Sequence, residues 1–184
     1  MGNKFEEKTI STTQIFNGKI VQLQIDDVTL PDGNTSKREI IKHPGAVAVI
    51  AVTDTNKLLM VEQYRKPLNK SIMEIPAGKL EPGEEPVITA KRELEEETGY
   101  TTKTLEYVTS FYTTPGFSNE LLYVYFTDEL TRLEEKKQLD EDEFVAVHEI
   151  SLSEAEKLLT EQEIHDAKTA YALLYVKERI NERG

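Results

Sequence analysis

The sequence predicts an α+β fold, a mixed β-sheet with helices packed on it, preceded by a small antiparallel sheet. Three observations predict it. Most segments alternate as strands do, a single helical stretch interrupts them at 86–98, and two more helical stretches close the chain. Residues 19–30 (KIVQLQIDDVTL) read as a strand, PDGN at 31–34 as a turn, and 35–42 (TSKREIIK) as the returning strand. Residues 1–42 are therefore set apart as an N-terminal β region, and 43–184 as the main domain. In the latter, 45–53 (GAVAVIAVT) reads as a buried strand, DTNK at 54–57 turns the chain, and 58–65 and 71–76 are further strands. Pro86 starts the helix at 86–98 and Gly99 stops it. Strands are expected at about 103–112, 120–127 and 143–150. Ser151 with Glu154 forms a capping box for a helix at about 153–161. A last helix is expected over 165–182, with Ala167, Ala170, Tyr171, Leu174 and Ile180 recurring on one face.

Composition narrows the function. The 184 residues contain no cysteine, which excludes disulfides, thiolate metal sites and cysteine nucleophiles and suits a cytoplasmic protein. A net charge of -12 argues against nucleic acid as a partner. The longest apolar run, Ala46 to Val52, is too short for a bilayer, so no membrane partner is expected, and the polar Met1–Glu7 is no signal peptide. His43, His148 and His165 show no metal-ligand spacing and are read as structural.

The informative segment is Gly78–Tyr100, GKLEPGEEPVITAKRELEEETGY. At helical spacing Glu93, Glu96 and Glu97 share one side, Val87, Ala90 and Leu94 form an adjacent apolar stripe, and Glu95 points away. Three carboxylates so placed repel one another, by a few tenths of a kcal/mol per pair. A hard cation such as magnesium or manganese would reverse that sign. Glutamate-rich helices are also commonly just solvated faces, and spacing has to decide between the two.

That spacing resembles the Nudix box, G-x5-E-x7-R-E-U-x-E-E-x-G-U with U a bulky aliphatic residue. Gly78, Glu84, Arg92, Glu93, Leu94, Glu96, Glu97 and Gly99 match in register, and only Tyr100 departs from the pattern. The resemblance implies a Nudix fold, an α/β/α sandwich with a mixed sheet. It implies two or more Mg2+ or Mn2+ ions held by Glu93, Glu97, Glu96 and the backbone carbonyl of Ala77. It assigns Arg92 to pair with Glu84, Gly78 to a tight strand-to-loop bend and Gly99 to the helix end.

Features outside the box resemble the ADP-ribose pyrophosphatase subfamily. Pro115 lies 16 residues after Gly99 and, with Gly116, sits in a PGF loop. The acidic run 140–147 (DEDEFVAV) implies a catalytic base: Glu141, with Glu143 helping to bind metal, or the reverse. The N-terminal region resembles the swapped portion of homodimeric members. There Phe16 would stack on adenine, Arg38 and Glu39 would contact the nucleotide, and Arg65 would approach phosphates or ribose. The plain alternatives are a core phenylalanine, a surface ion pair and a strand-end cation. The expected reaction is metal-dependent hydrolysis of ADP-ribose to AMP and ribose 5-phosphate. Hydrolysis of other sugar nucleotides or oxidised nucleotides is the near alternative. A non-catalytic ADP-ribose sensor is the alternative of another class, and the intact box glutamates argue against it.

Overall fold

A computed structural model describes residues 3–135, 137–139 and 143–183, with side chains described through Arg179. The chain divides into two compact units, one of Met1–Gly45 with Ser110–Leu122 and one of Ala46–Thr109 with Tyr123–Gly184.

In the first unit β1 (Lys8–Asn17), β2 (Gln22–Thr29) and β3 (Thr35–Lys42) form an antiparallel sheet in the order β1-β2-β3. The PDGN turn closes as predicted: Gly33 has φ 88°, and Asp32 Oδ1 accepts from the Asn34 amide at 3.0 Å. β1 has no counterpart in the sequence expectation. Every one of its residues is exposed, so no buried face imposes an alternating pattern on KTISTTQIFN. The segment 113–120 joins this unit through Ile41, whose amide donates to Phe117 O at 2.8 Å and which bridges Ser118 in parallel.

In the second unit β4 (Ala46–Ala51) is the central strand. Val47, Val49 and Ala51 face a cluster with Leu59, Ala90, Leu94 and Tyr125, while Ala48 and Ile50 are equally buried on the other side. Helix α1 (Pro86–Thr98) and helix α3 (Ala167–Arg183) both pack on β4. That covering of both faces is why its sequence is a continuous apolar run. β7 (Ala77–Lys79) pairs antiparallel with β4, and the sheet continues through β10 (Leu121–Thr127) to β9 (Glu106–Tyr112). A second sheet orders β12 (Val145–Ser151), β5 (Lys57–Arg65) and β6 (Lys70–Glu74). β8 (Tyr100–Thr102) and β11 (Leu130–Arg132) pair separately, and the strand expected at about 103–112 is β9, which begins at Glu106. Helix α2 (Leu152–Thr160) is capped as expected, Ser151 Oγ accepting from the Glu154 amide at 3.2 Å. Among the described residues no helix is long and apolar enough to cross a membrane.

Three expectations are corrected. Val87 is exposed, and the buried face of α1 is Thr89, Ala90, Glu93, Leu94 and Glu97. Glu95 does not point away; it is buried, accepting from Thr101 Oγ1 and pairing with Lys137 Nζ. On α3 the buried stripe is Thr169, Ala172, Leu173 and Val176, whereas Ala167 and Leu174 are exposed. Both stripes have helical spacing. The true one begins with a threonine, and that polar residue hides it from an apolar count.

Candidate active site

Helix α1 ends where the backbone needs a left-handed residue. Gly99 has φ 76° and its amide donates to Glu95 O at 3.0 Å. Its last two turns carry Glu93 and Glu97 on the side that faces the sheet. Glu97 is only 2% exposed. Its Oε2 accepts from the Ala77 amide at 3.0 Å and its Oε1 from Gln63 Nε2 at 2.5 Å. Burial outweighs these two donors and, with the charges of Glu93 and Glu143, pushes the Glu97 carboxyl up to about 8. Glu93 is likewise raised by burial to about 7, against the pull of Arg92 and with the repulsion of Glu96 and Glu143. Two adjacent buried carboxylates thus share a place where a second negative charge is poorly tolerated.

Arg92 is bonded to Glu93, and the charge of Arg65 interacts with Glu97. Arg92 Nη1 donates to Glu93 Oε1 at 2.8 Å and to Glu96 Oε2 at 2.9 Å, and Nη2 lies 3.4 Å from Glu84 Oε2. Burial works against the Arg92 guanidinium's charge, yet Glu93 and Glu96 raise its pKa above the ordinary arginine value. Glu84 also accepts from Thr89 Oγ1 at 2.8 Å, which ties the loop before the helix to its first turn. Among the described residues, no three acidic or histidine side chains form a ready-made metal cage.

Gly78 stands in the middle of β7 without a positive φ, so no tight bend requires it. What requires it is space. A Cβ there would lie 2.0 to 2.4 Å from the three carboxylate atoms of Glu93. The glycine is the floor against which that carboxylate lies. Tyr100, the departure from the box pattern, packs its ring on the core cluster and donates its hydroxyl to Glu149 Oε1 at 2.7 Å.

The other residues singled out in the sequence fall in different places. Glu143 is near enough for its charge to raise both Glu93 and Glu97. Glu141 lies outside the described residues. Arg65 is engaged by Glu74, with Nε 2.5 Å from Oε1 and Nη2 2.8 Å from Oε2, as a strand-end cation would be. Phe16, Arg38, Glu39, Pro115 and Gly116 belong to the first unit. Phe16 is 56% exposed, so it is not a core residue, and its ring lies over Gly18. Arg38 forms a two-pronged ion pair with Glu7, at 2.8 and 2.6 Å, and Glu39 is exposed. Pro115 and Gly116 form a turn closed by the Phe117 amide on Thr114 O at 3.1 Å, and a side chain at Gly116 would meet open space. His43, His148 and His165 approach Glu120, Glu62 and Lys70, at 3.7, 3.3 and 3.4 Å.

Sequence reasoning missed Gln63. Its signal was a polar residue on the same strand face as Leu59 and Val61, both buried.

The elements and the Gly78–Tyr100 geometry define a class. Residues 42–173 match the NUDIX domain family, and residues 7–41 match the nucleoside diphosphate sugar hydrolase N-terminal domain. The chain belongs to the NUDIX family and is a Nudix pyrophosphohydrolase. It is 61% identical over 172 residues to the ADP-ribose pyrophosphatase of Bacillus subtilis (strain 168), covering 94% of this chain and 93% of that protein. It is 58% identical over 177 residues to the methanol dehydrogenase activator of Bacillus methanolicus, covering 96% of each. A crystal structure of an ADP compounds hydrolase shares its fold, with TM-score 0.86 and 18% identity over 100% of this chain and 99% of that one.

Proposed function

We propose that this chain hydrolyses the diphosphate of ADP-ribose to AMP and ribose 5-phosphate, with Mg2+ or Mn2+ held by Glu93, Glu96, Glu97 and the carbonyl of Ala77. The observation that carries the metal is the pair of buried carboxylates, Glu93 and Glu97, whose charge is poorly compensated by protein alone. Their all-oxygen donor set suits hard divalent ions. The substrate follows from the 61% identity to an ADP-ribose pyrophosphatase along almost the whole of both chains. Bound ions supply charge neutralisation on the diphosphate and acidify a water.

The protein's own groups do the rest. Glu141 or Glu143 accepts the proton of the attacking water. The water oxygen joins one phosphorus as the bridging oxygen leaves with the other. Arg92 aligns Glu93 and Glu96 and is tied to Glu84. Phe16 offers an exposed aromatic face for adenine, Arg38 and Glu39 meet the nucleotide, and the Pro115–Gly116 turn borders the substrate. The fully exposed β1 favours a homodimer in which this sheet completes the partner's site. The cytoplasm is the proposed compartment.

The test is product analysis with purified protein, ADP-ribose and Mg2+, with and without chelator, beside a panel of other nucleoside diphosphate derivatives. Chelator-sensitive AMP and ribose 5-phosphate, formed faster than any panel product, is the expected result. Preference for another member of the panel would overturn the substrate. The 58% identity to a methanol dehydrogenase activator supports a second reading, in which the chain stimulates a dehydrogenase. Its test is methanol dehydrogenase turnover with and without the chain.

A further inference from the structure

Among the described residues Glu97 accepts from Gln63 and from the Ala77 amide, so the backbone leading into Ala77 helps aim this carboxylate. That backbone is fixed residue by residue. Glu74 is bound by Arg65 and by Lys168 of α3, and Pro76 O accepts from the Val49 amide at 2.8 Å. Ile75, fully buried, donates its amide to Thr169 Oγ1 at 3.0 Å. Thr169 is also fully buried, and its hydroxyl donates to Asp166 Oδ2 at 2.5 Å. Capping α3 needs only the Thr169 amide, which donates to the same Asp166 oxygen at 3.0 Å. The hydroxyl is surplus to the cap. Its proton is committed to Asp166, which leaves a lone pair for Ile75.

We propose that Thr169, oriented by Asp166 at the start of α3, is a positioning residue for the cation-binding edge: it fixes the Ile75–Ala77 backbone so that the Ala77 amide holds Glu97 in place. The terminal helix thereby serves the site as well as the core. The inference rests on the proposal that Glu97 and Ala77 face the cation. It explains why a polar residue stands in the buried stripe of α3, where valine would fit as well by volume.

The test compares wild type, Thr169→Val and Thr169→Ser in the full chain. Two quantities are read: amide exchange at residues 75–77 in chelator-treated protein, and Mn2+ affinity by electron paramagnetic resonance of free Mn2+. Thr169→Val is expected to exchange faster at Ile75 and Ala77 and to bind Mn2+ about tenfold more weakly, the scale of supporting hydrogen bonds around metal ligands. Thr169→Ser, which keeps the hydroxyl, should stay within about twofold of wild type on that same scale. A merely structural threonine would lower the melting temperature and leave the Mn2+ affinity unchanged, and that result overturns the inference. Should Thr169→Val fail to fold, Thr169→Ala removes the hydroxyl, leaves the capping amide to Asp166 in place and must still weaken Mn2+ binding, or the inference falls. Wild-type protein that binds no Mn2+ would refute the cation reading instead.

Discussion

Replacing Glu97 by glutamine should make the cation-free protein more stable while abolishing its activity. The magnitude comes from burial. Glu97 is 2% exposed and its pKa is raised from an ordinary 4.5 to about 8. At pH 7 the folded chain therefore holds it protonated while the unfolded chain ionises it. At 1.36 kcal/mol per unit, this costs the fold roughly 3 kcal/mol. Glutamine cannot ionise. It does bring an amide against the amide of Gln63, and reorienting one of them costs about 1 kcal/mol. The net gain of about 2 kcal/mol corresponds to about 4–8 °C in melting temperature for a chain of this size. The pH dependence has a definite sign. A carboxyl with a raised folded pKa binds more protons folded than unfolded. Its contribution is fully present below 4.5 and is lost as pH rises through about 8. The advantage of Glu97→Gln should thus shrink toward pH 5 and grow toward pH 8. The assay is thermal melting of both proteins with chelator and with excess Mg2+, across that range, beside hydrolysis of ADP-ribose. Mg2+ should raise the melting temperature of wild type only. A variant that melts below wild type in chelator at pH 7, or that hydrolyses at the wild-type rate, would refute the reasoning.

Other substitutions probe neighbouring contacts. Gly78→Ala puts a methyl 2.0 to 2.4 Å from the Glu93 carboxylate. Activity should fall by about two orders of magnitude, the scale of misplacing a reacting group by an ångström, while circular dichroism stays unchanged. Glu143→Gln removes a charge that raises both Glu93 and Glu97, so the chelator-treated protein should melt higher than wild type. Comparing the pH–rate profiles of Glu141→Gln and Glu143→Gln then identifies the base, as the variant that loses the acidic limb. Glu95 is opposed by burial but held below its usual value by Lys137 and Thr101. Glu95→Gln should cost about 1 kcal/mol at pH 7, with the half-exposed lysine limiting the figure. That stability is present above the ordinary carboxylate range and is lost as pH falls below it, so the two proteins should converge in acid.

Much of the chain was legible because local rules and tertiary needs agree there. The helix at 86–98 has Pro86 and Gly99 at its ends, and both are observed in those roles. The strand at 35–42, the PDGN turn and the Ser151 cap behaved likewise. The misses share a cause. β1 buries nothing and so writes no pattern. Strands β7, β8 and β11 have three residues each, too few for a period to register. Gln63 and Thr169 are polar residues on buried faces, where counts of apolar residues overlook them.

By itself the sequence determined the register of the helical part of the box, because Arg92, Glu93, Glu96 and Glu97 all lie on α1, whose fixed pitch sets their relative directions. The tertiary structure decided what each member does. Gly78 proves to be a matter of space beside Glu93, not of a bend. Glu95, one residue from two matched glutamates, is an internal anchor. Arg65 is taken up by Glu74, and Glu97 is aimed from strands distant in sequence. Helical pitch is a local property that spacing can carry. The partner of a buried charge is set by which segments the core brings together, and no local interval encodes that.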